Sequence, residues 1–251
     1  MVYTYDGSFD GLLSVIFETY RLRQEAEDIV EESVLQPGLF GQPLAVPTAV
    51  NHAKRVRQGL TKRNGKDVVR ILYHCFLSEQ PNIEMLIYRF VRLSVSSPEN
   101  ILENFREPDV LKIHRIERQI HREEHRMHAF VRFQETQDGL FVALVNPDFN
   151  ILPLLSPHFK DRYPAFKWLI YDTKRRYGLY HEHHKARFVT LDDQHHRYLS
   201  EEILTSAETD YQALWKTYFK SVDIPERRNM KLHLQHVPKR YWKYLVEKGN
   251  L

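Results

Sequence analysis

The chain has 251 residues, enough to bury one sizeable core or two modest ones. Its 36 Lys and Arg residues nearly balance 33 Asp and Glu residues, and its single cysteine, Cys75, excludes a disulfide framework or a multi-cysteine metal centre built by this chain. No apolar run reaches the about 18 residues of a membrane span, and the N-terminal segment does not resemble a signal peptide, so we expect a cytoplasmic protein without membrane contact.

Charge is distributed unevenly along the chain. Residues 1–40 carry two basic and eight acidic side chains, whereas residues 160–187 carry eight basic and three acidic ones, and residues 209–251 carry nine and four. A basic excess in the second half is what binding to an anionic partner would require. A solvated surface with no such partner can show the same uneven charge.

The first part of the chain predicts one strand and two helices. The letters VYTY are typical of a short strand, and Ser8 is placed to cap a helix whose apolar residues follow helical spacing. Prolines and glycines between residues 34 and 47 indicate an irregular connection, after which Thr48 would cap a second helix through about Leu60.

Three further helices are predicted from apolar stripes. The stripes are Val68, Leu72, Cys75 and Phe76; Ile83, Leu86, Ile87 and Phe90; and Ile113, Ile116, Ile120 and Met127. Because Cys75 lies within its stripe, we expect it to be a buried packing residue rather than a nucleophile.

At about His128 the spacing of apolar residues changes from helical to alternating. HAFVRFQ and LFVALV lie on either side of a predicted turn and indicate a hairpin, which would place His128 and Arg132 on one face of a strand. The following segment is expected to be helical only in parts, because Pro153 and Pro157 would interrupt it.

Three antiparallel strands are predicted next, in FKWLIYD, RYGLY and ARFVTL. In the first strand alternate residues point to opposite faces, so one face is expected to pack and the other to remain accessible. The chain then returns to helix. A wide stripe that we expect to be core is formed by Tyr211, Leu214, Trp215, Tyr218 and Phe219, and a short helix, a turn and a helix opened by Pro238 follow it.

Together these elements predict an α+β fold in a single domain over residues 1–251. It has a helical part at 1–127, a central antiparallel β-meander with an inserted helix at 128–191, and a helical part at 192–251.

The pattern HREEH, residues 121–125, matches the H-x-x-E-H spacing of one class of zinc peptidases. On a helix, His121 and His125 would share a face and bind zinc with a third ligand, while Glu124 polarised a water molecule. A chain with 14 His residues also produces such pairs without a metal, and a partly solvated helix face is the competing interpretation. The sequence contains no phosphate-binding loop, dinucleotide-binding turn or nucleophile elbow.

Basic residues beside aromatic ones recur in RMHAFVRF, PAFKWLIYDTKRRYGLY and VPKRYWKYL. Cations of this kind contact phosphates and rings stack on unpaired bases, so the pattern predicts a nucleic-acid surface, although aromatic residues are equally ordinary core material. The candidate nucleic-acid-binding residues are Arg126, Arg132, Arg162, Lys174, Arg175, Arg176, Arg227, Arg228, Lys239, Arg240, Tyr241 and Trp242.

Several longer motifs resemble a known family. They are YTYDGSFDGLL, EEHRMHAFVRF, LPLLSPHFKDRY, WLIYDTKRRYGLY, LWKTYFKSVDIPERRN and VPKRYWKYLVE. In this order they are similar to the bacterial family called probable DNA metabolism protein, which contains the domain of unknown function DUF4130, and the likeness covers nearly the whole chain. Members are similar to a region joined to uracil-DNA glycosylase domains in some larger proteins, and are typically encoded beside a radical SAM protein of DNA repair or modification.

The resemblance implies a DNA-binding accessory protein that acts in DNA repair or modification, on single-stranded or damaged DNA, with a radical SAM partner enzyme. The iron-sulfur cluster and S-adenosylmethionine would belong to that partner, because one cysteine cannot supply a three-cysteine cluster, and we expect no cofactor in this chain. Uracil-DNA glycosylase activity is not expected, since no uracil-pocket motif is recognisable.

Two other functions remain open. A metal-dependent or acid/base DNA-processing hydrolase would use His125, His158 and Asp172, which lie at the family motifs, although the resemblance supplies no established catalytic residue and structural ion pairing is the commoner outcome for such groups. A protein-interaction scaffold would not contact DNA at all.

Overall fold

The structure, a computed structural model, describes residues 1–35, 42–191, 204–221 and 234–248. The chain divides into two units, Met1–His121 and Arg122–Leu251. Helices at both ends and a central sheet give the α+β architecture that the sequence predicts.

A small parallel sheet lies at the start of the first unit. Its central strand β1 (Val2–Tyr5) is the strand predicted from VYTY, and it pairs with β2 (Asp28–Glu31) on one side and β3 (Leu44–Ala45) on the other. Helix α1 (Phe9–Leu22) begins after Ser8, whose Oγ accepts a hydrogen bond from the Gly11 N–H at 2.9 Å. This bond satisfies one of the free donors of the first turn and confirms the predicted cap.

The remaining helices of the first unit follow the predicted stripes. They are α2 (Val50–Asn64), α3 (Val68–Phe76), α4 (Ile83–Ser96) and the first part of α5 (Pro108–Phe130). The cap predicted at Thr48 is wrong: α2 begins after Ala49, and the Thr48 hydroxyl donates to Asp6 Oδ2 at 2.7 Å instead.

Cys75 is fully buried in α3, as predicted. Its thiol donates to the carbonyl of Ile113 at 3.5 Å, and burial raises the pKa of the thiol. A thiol held in its neutral form is a poor nucleophile, so the packing role is confirmed.

The strand predicted to begin at His128 is wrong. Helix α5 continues to Phe130, and the strand β4 is only Gln134–Glu135. Met127 and Val131 are both buried four residues apart, which extends the helical stripe past the point where the sequence also alternates. His128 and Arg132 therefore belong to the end of a helix and the segment after it.

The second unit is built on a mixed five-stranded sheet in the order β4-β5-β6-β7-β8. Its longer strands are β5 (Phe141–Val145), β6 (Trp168–Asp172), β7 (Tyr177–Glu182) and β8 (Lys185–Val189). The predicted hairpin is present as the short β4–β5 pair, and β6, β7 and β8 form the predicted antiparallel set. The predicted antiparallel meander is wrong for the β5–β6 pair, which is parallel, because the inserted helix returns the chain to the same end of the sheet.

The inserted helix α6 (Leu152–Arg162) is continuous, so the predicted interruptions are wrong. Pro153 occupies the first turn, where no N–H donor is needed, and Pro157 lies inside the helix at the loss of one hydrogen bond. The accessible face predicted for β6 is also wrong. All five residues of β6 are buried, since Leu169 and Tyr171 pack with Val142 on the second face.

The C-terminal part contains α7 (Ser206–Ser221) and a 3₁₀ helix (Lys239–Tyr244) that follows Pro238. The core position predicted for the α7 stripe is wrong for Tyr211, Leu214 and Trp215, which are all exposed. The side chains of Tyr218 and Phe219, and the short helix predicted between residues 224 and 232, lie outside the described part. Among the described residues, no helix has both the length and the apolar character needed to cross a bilayer.

Candidate functional site

A groove of about 950 Å³ lies within the second unit and is lined mainly by aromatic rings. These rings come from three segments that are distant in sequence: the chain after α5, the sheet with the end of α6, and α7. The aromatic lining residues are Phe133, Phe141, Tyr163, Phe166, Trp168, Tyr211 and Trp215. A concave site of this size and character is typical of a ligand-binding pocket.

One wall of the groove is a set of rings packed edge to face. Phe133 lies 5.5 Å from Tyr163 with the ring planes at 79°, and Phe141 lies 5.2 Å from Phe166 at 77°. Trp168 is almost completely buried behind them. Because these rings pack on one another, they are oriented before any ligand arrives.

A second wall is formed by Tyr211, Leu214 and Trp215 of α7. Tyr211 is 67% exposed and Trp215 is 41% exposed. The start of the helix is fixed to the sheet, because the Thr205 N–H donates to the carbonyl of Glu135 at 3.1 Å and the Glu135 N–H donates to Glu208 Oε2 at 3.2 Å. Tyr211, Leu214 and Trp215 therefore line the groove from a helix whose start is held to the sheet.

Glu247 connects the two walls. Its carboxylate accepts from the Trp215 indole N–H at 3.0 Å and from Arg132 Nη2 at 3.0 Å, with only 6% of its side chain exposed. Burial by itself would raise the pKa of Glu247, but its backbone hydrogen bond, the Arg132 charge and the Trp215 donor together lower that pKa below its ordinary value of 4.5.

The lowered pKa of Glu247 predicts a pH-dependent stability. As the pH falls, the Glu247 carboxylate is protonated at a higher pH in the unfolded chain than in the folded chain. The contribution of Glu247 to the free energy of unfolding is therefore complete above pH 4.5 and is lost as the pH falls through its lower folded-state pKa. In urea titrations, Glu247→Gln is expected to be less stable than the parent protein near pH 7, and this difference should shrink below pH 4.5. Asp161→Asn, which removes the charge of an exposed carboxyl, is the control. If the difference in stability between Glu247→Gln and the parent protein stayed constant with pH, the lowered pKa of Glu247 would be contradicted.

A second group of predicted residues meets at the loop of residues 146–150. Glu123 is 2% exposed and accepts from the N–H groups of Asp148 and Phe149, both at 2.9 Å. It also accepts from the Tyr241 hydroxyl at 2.6 Å and from Arg240 Nη2 at 3.1 Å. This carboxylate therefore fastens the loop and the C-terminal 3₁₀ helix to α5.

The other side of the loop is held by Arg175 and Lys174. Arg175 donates to the carbonyls of Pro147 and Asp148 at 3.2 and 3.0 Å, and Lys174 Nζ donates to the Asp148 carbonyl at 3.0 Å. Arg175 also pairs with Asp172 Oδ2 at 2.9 Å, and Asp172 is fully buried. The cations at this loop are thus balanced by Asp172, Glu123 and the Asp148 side chain, which pairs with Arg240 at 2.8 Å.

The structure brings some of the candidate nucleic-acid-binding residues to the groove and some to the loop. Arg132 lines the groove, and the exposed Arg162 stands over the Tyr163 ring at 5.6 Å. Lys174, Arg175 and Arg240 meet at the loop.

Other candidates lie away from the groove lining. Tyr241 is buried against Glu123, so its ring is used in packing. Trp242 donates its indole N–H to the Val237 carbonyl at 3.0 Å, and Arg126 donates to the Gln235 carbonyl at 2.9 Å. Arg176 and Lys239 are exposed. Arg227 and Arg228 lie outside the described part, and a nucleic-acid role for all these residues stays a prediction.

The residues of the hydrolase hypothesis, His125, His158 and Asp172, lie in different surroundings. His158 stacks on His128 at 4.0 Å, His125 is exposed, and Asp172 is engaged by Arg175. Within the described residues, no hydrogen bond or ion pair joins Asp172 to either histidine. His121 and His125 are both on the exposed side of α5, and the described residues contain no group of three His, Cys, Asp or Glu side chains placed to hold a metal ion.

Sequence reasoning missed the wall formed by Tyr211 and Trp215 and the carboxylates Glu208 and Glu247. A wide aromatic stripe on a helix was a visible signal, but the stripe does not distinguish a core face from a binding face. Glu123 had a clearer signal, because it follows Ile116 and Ile120 at helical spacing and so falls on the buried stripe of α5.

A family model described as Domain of unknown function (DUF4130) matches residues 81–247, and this range includes every residue that lines the groove. No curated protein and no solved structure matches the chain.

Proposed function

We propose that this chain, which belongs to the DUF4130 family, is a cytoplasmic DNA-binding accessory protein that holds unpaired bases in its aromatic groove. The aromatic groove of the second unit is the observation that carries this proposal. Its walls present Phe166, Tyr211 and Trp215 to solvent in one concave site, and exposed apolar groups that lie together in this way mark binding surfaces.

Stacking explains why such rings remain exposed. A base that leaves the double helix loses its stacking partners, and an aromatic side chain replaces them at about 1–3 kcal/mol per base. The two walls face a groove large enough for a nucleotide, and their rings are fixed by packing on one side and by Glu247 on the other. Single-stranded or damaged DNA supplies such bases at the least energetic cost.

The phosphates would remain at the rim of the groove. Arg162 is exposed beside Tyr163, and Lys167, next to Phe166, is half exposed, although it pairs with Glu182 at 2.7 Å. Positions of this kind suit contacts to the backbone of a strand whose bases enter the groove.

The partner part of the proposal rests on the family resemblance. A radical SAM enzyme of DNA repair or modification would perform the chemistry, with its own iron-sulfur cluster and S-adenosylmethionine, while this chain would hold the substrate. The tagged chain should then co-purify with that enzyme, and failure to recover the enzyme would remove this part of the proposal alone.

The DNA-binding part is tested by two aromatic variants of matched exposure. Phe166→Ala removes a ring of the groove that is 50% exposed, and Phe188→Ala removes a ring of β8 that is 54% exposed and outside the groove lining. For a labelled single-stranded oligonucleotide, we expect Phe166→Ala and Trp215→Ala each to weaken binding by roughly 5- to 150-fold, the equivalent of one stacked base. Phe188→Ala should bind like the parent protein.

Salt dependence and strand form complete the test. Binding should weaken steeply as salt rises, because phosphate contacts release counterions, and duplex DNA should bind less tightly than single strands. Equal affinities for all three variants, or loss of affinity in Phe188→Ala to the same extent as in Phe166→Ala, would contradict a base-binding groove.

A further inference from the structure

The charges around the aromatic groove do not suit an anion. The charged side chains described at its lining are Arg132 and Glu208, and Glu247 lies directly behind Arg132 and Trp215. Two carboxylates against one guanidinium leave the groove with one net negative charge. A phosphate placed inside would therefore be repelled.

Arg132 is also occupied by the protein itself. It donates to Glu247 at 3.0 Å and to the backbone carbonyl of Ala129 at 2.6 Å. The Arg132 guanidinium is thus neutralised by a nearly buried carboxylate. Two further cations stand at the rim, Arg162 beside Tyr163 and Lys167 beside Phe166. Both are exposed, so solvent and salt screen their charges, and Lys167 also pairs with Glu182 at 2.7 Å.

The rings add attraction for positive charge. The face of an aromatic ring carries negative electrostatic potential, and a cage of Trp, Tyr and Phe side chains attracts cations by this means. Tyr163, Phe166, Tyr211 and Trp215 supply such rings to the lining of the groove. The aromatic rings and the net negative charge of the groove therefore both favour a cationic ligand.

We propose that the groove selects nucleobases that carry a positive charge, as alkylated bases do, over their neutral counterparts. This inference rests on the proposed function and adds the chemical class of base to it. A planar cationic ring stacks between the two walls, while Glu208 compensates its charge. An ordinary base would have the stacking but not the electrostatic attraction.

Two isomeric nucleosides test this selectivity directly. N1-methyladenosine is cationic at neutral pH, whereas N6-methyladenosine has the same composition and is neutral. We expect the full chain to bind the cationic isomer about 3- to 30-fold more tightly at pH 7, the range of a cation–π contact from exposed to desolvated. Quenching of tryptophan fluorescence and calorimetry both measure this ratio, and Trp215→Ala should weaken both isomers.

The source of the selectivity is tested by variants on α7. Glu208→Gln retains the shape of the side chain and removes its charge, so the preference for the cationic isomer should fall by at least about threefold. Asp210→Asn removes an exposed charge outside the lining of the groove and should leave the preference unchanged.

The outcomes separate this inference from the proposed function. Equal affinity for the two isomers would overturn the charge selectivity and leave base binding intact. Failure of both nucleosides to bind, together with single-stranded DNA affinity that ignores Phe166→Ala, would overturn both. Binding of tetramethylammonium as tight as that of N1-methyladenosine would show that the groove reads charge without a base and would also overturn the inference.

Discussion

Replacing Glu123 with alanine is expected to lower the free energy of unfolding by about 3–5 kcal/mol, the usual effect of breaking a buried ion pair from one side. The substitution removes the acceptor for two backbone N–H groups of the loop at residues 146–150. It also leaves the Tyr241 hydroxyl and Arg240 without their shared buried partner. Urea unfolding followed by tryptophan fluorescence and circular dichroism measures the loss.

Two further variants give this experiment its controls. Glu123→Gln retains an oxygen acceptor but not the charge, so its loss of stability should be smaller than that of Glu123→Ala. His125→Ala changes an exposed residue of the same helix and should shift stability by no more than about 0.5 kcal/mol. A loss for Glu123→Ala as small as that for His125→Ala would show that the loop is held by other contacts.

The burial pattern of the first unit could be predicted because it is local. The stripes that define α3, α4 and the first part of α5 repeat every three or four residues, and the cap at Ser8 is a single residue with a known role. The pairing of β1 with β2 and β3 could not be predicted in this way. β3 has only two residues, and it pairs with a strand that lies about forty residues away in the sequence.

The end of α5 shows how two periods can coexist in one segment. Residues 131–134 alternate between apolar and polar side chains, but Met127 and Val131 also continue the helical stripe. The helix prevails through Phe130 because both apolar residues are buried. Short apolar runs do not distinguish these states by themselves.

Some residues of the groove could be predicted from the sequence, but their arrangement could not. The motifs RMHAFVRF and PAFKWL do supply Arg132, Phe133 and Phe166 to it, as the basic-aromatic pattern suggested. Their position beside α7 depends on the fold of the whole second unit. The spacing of the α7 stripe by itself predicts a core face, because a wide aromatic stripe on a helix is ordinarily core. The cations at the loop show both cases. Arg175 pairs with Asp172 three residues earlier in the same turn, whereas Arg240 is engaged by Glu123, which lies 117 residues away and which no local pattern connects to it.

Replacing Asp172 with alanine is expected to have an effect as large as that of Glu123→Ala, about 3–5 kcal/mol of unfolding free energy. Asp172 is fully buried, and its carboxylate accepts from the Lys174 N–H at 2.8 Å, from the Arg175 N–H at 3.2 Å and from Arg175 Nη1 at 2.9 Å. Alanine removes this acceptor from the two N–H groups of the turn. It also removes the carboxylate that compensates the largely buried charge of Arg175, which retains its hydrogen bonds to the carbonyls of Pro147 and Asp148.

A second substitution, Asp172→Asn, tests whether the role of Asp172 is structural or chemical. Asp172→Asn keeps an acceptor for the turn after β6 and removes the charge, so we expect a loss of about 1–3 kcal/mol and DNA binding in the groove that is unchanged. Asp161→Ala, at an exposed carboxyl of α6, should leave stability within about 0.5 kcal/mol of the parent protein. If Asp172→Asn were as stable as the parent protein but had lost a DNA-processing activity, Asp172 would be a reacting group, and the ion pair with Arg175 would serve chemistry rather than the turn.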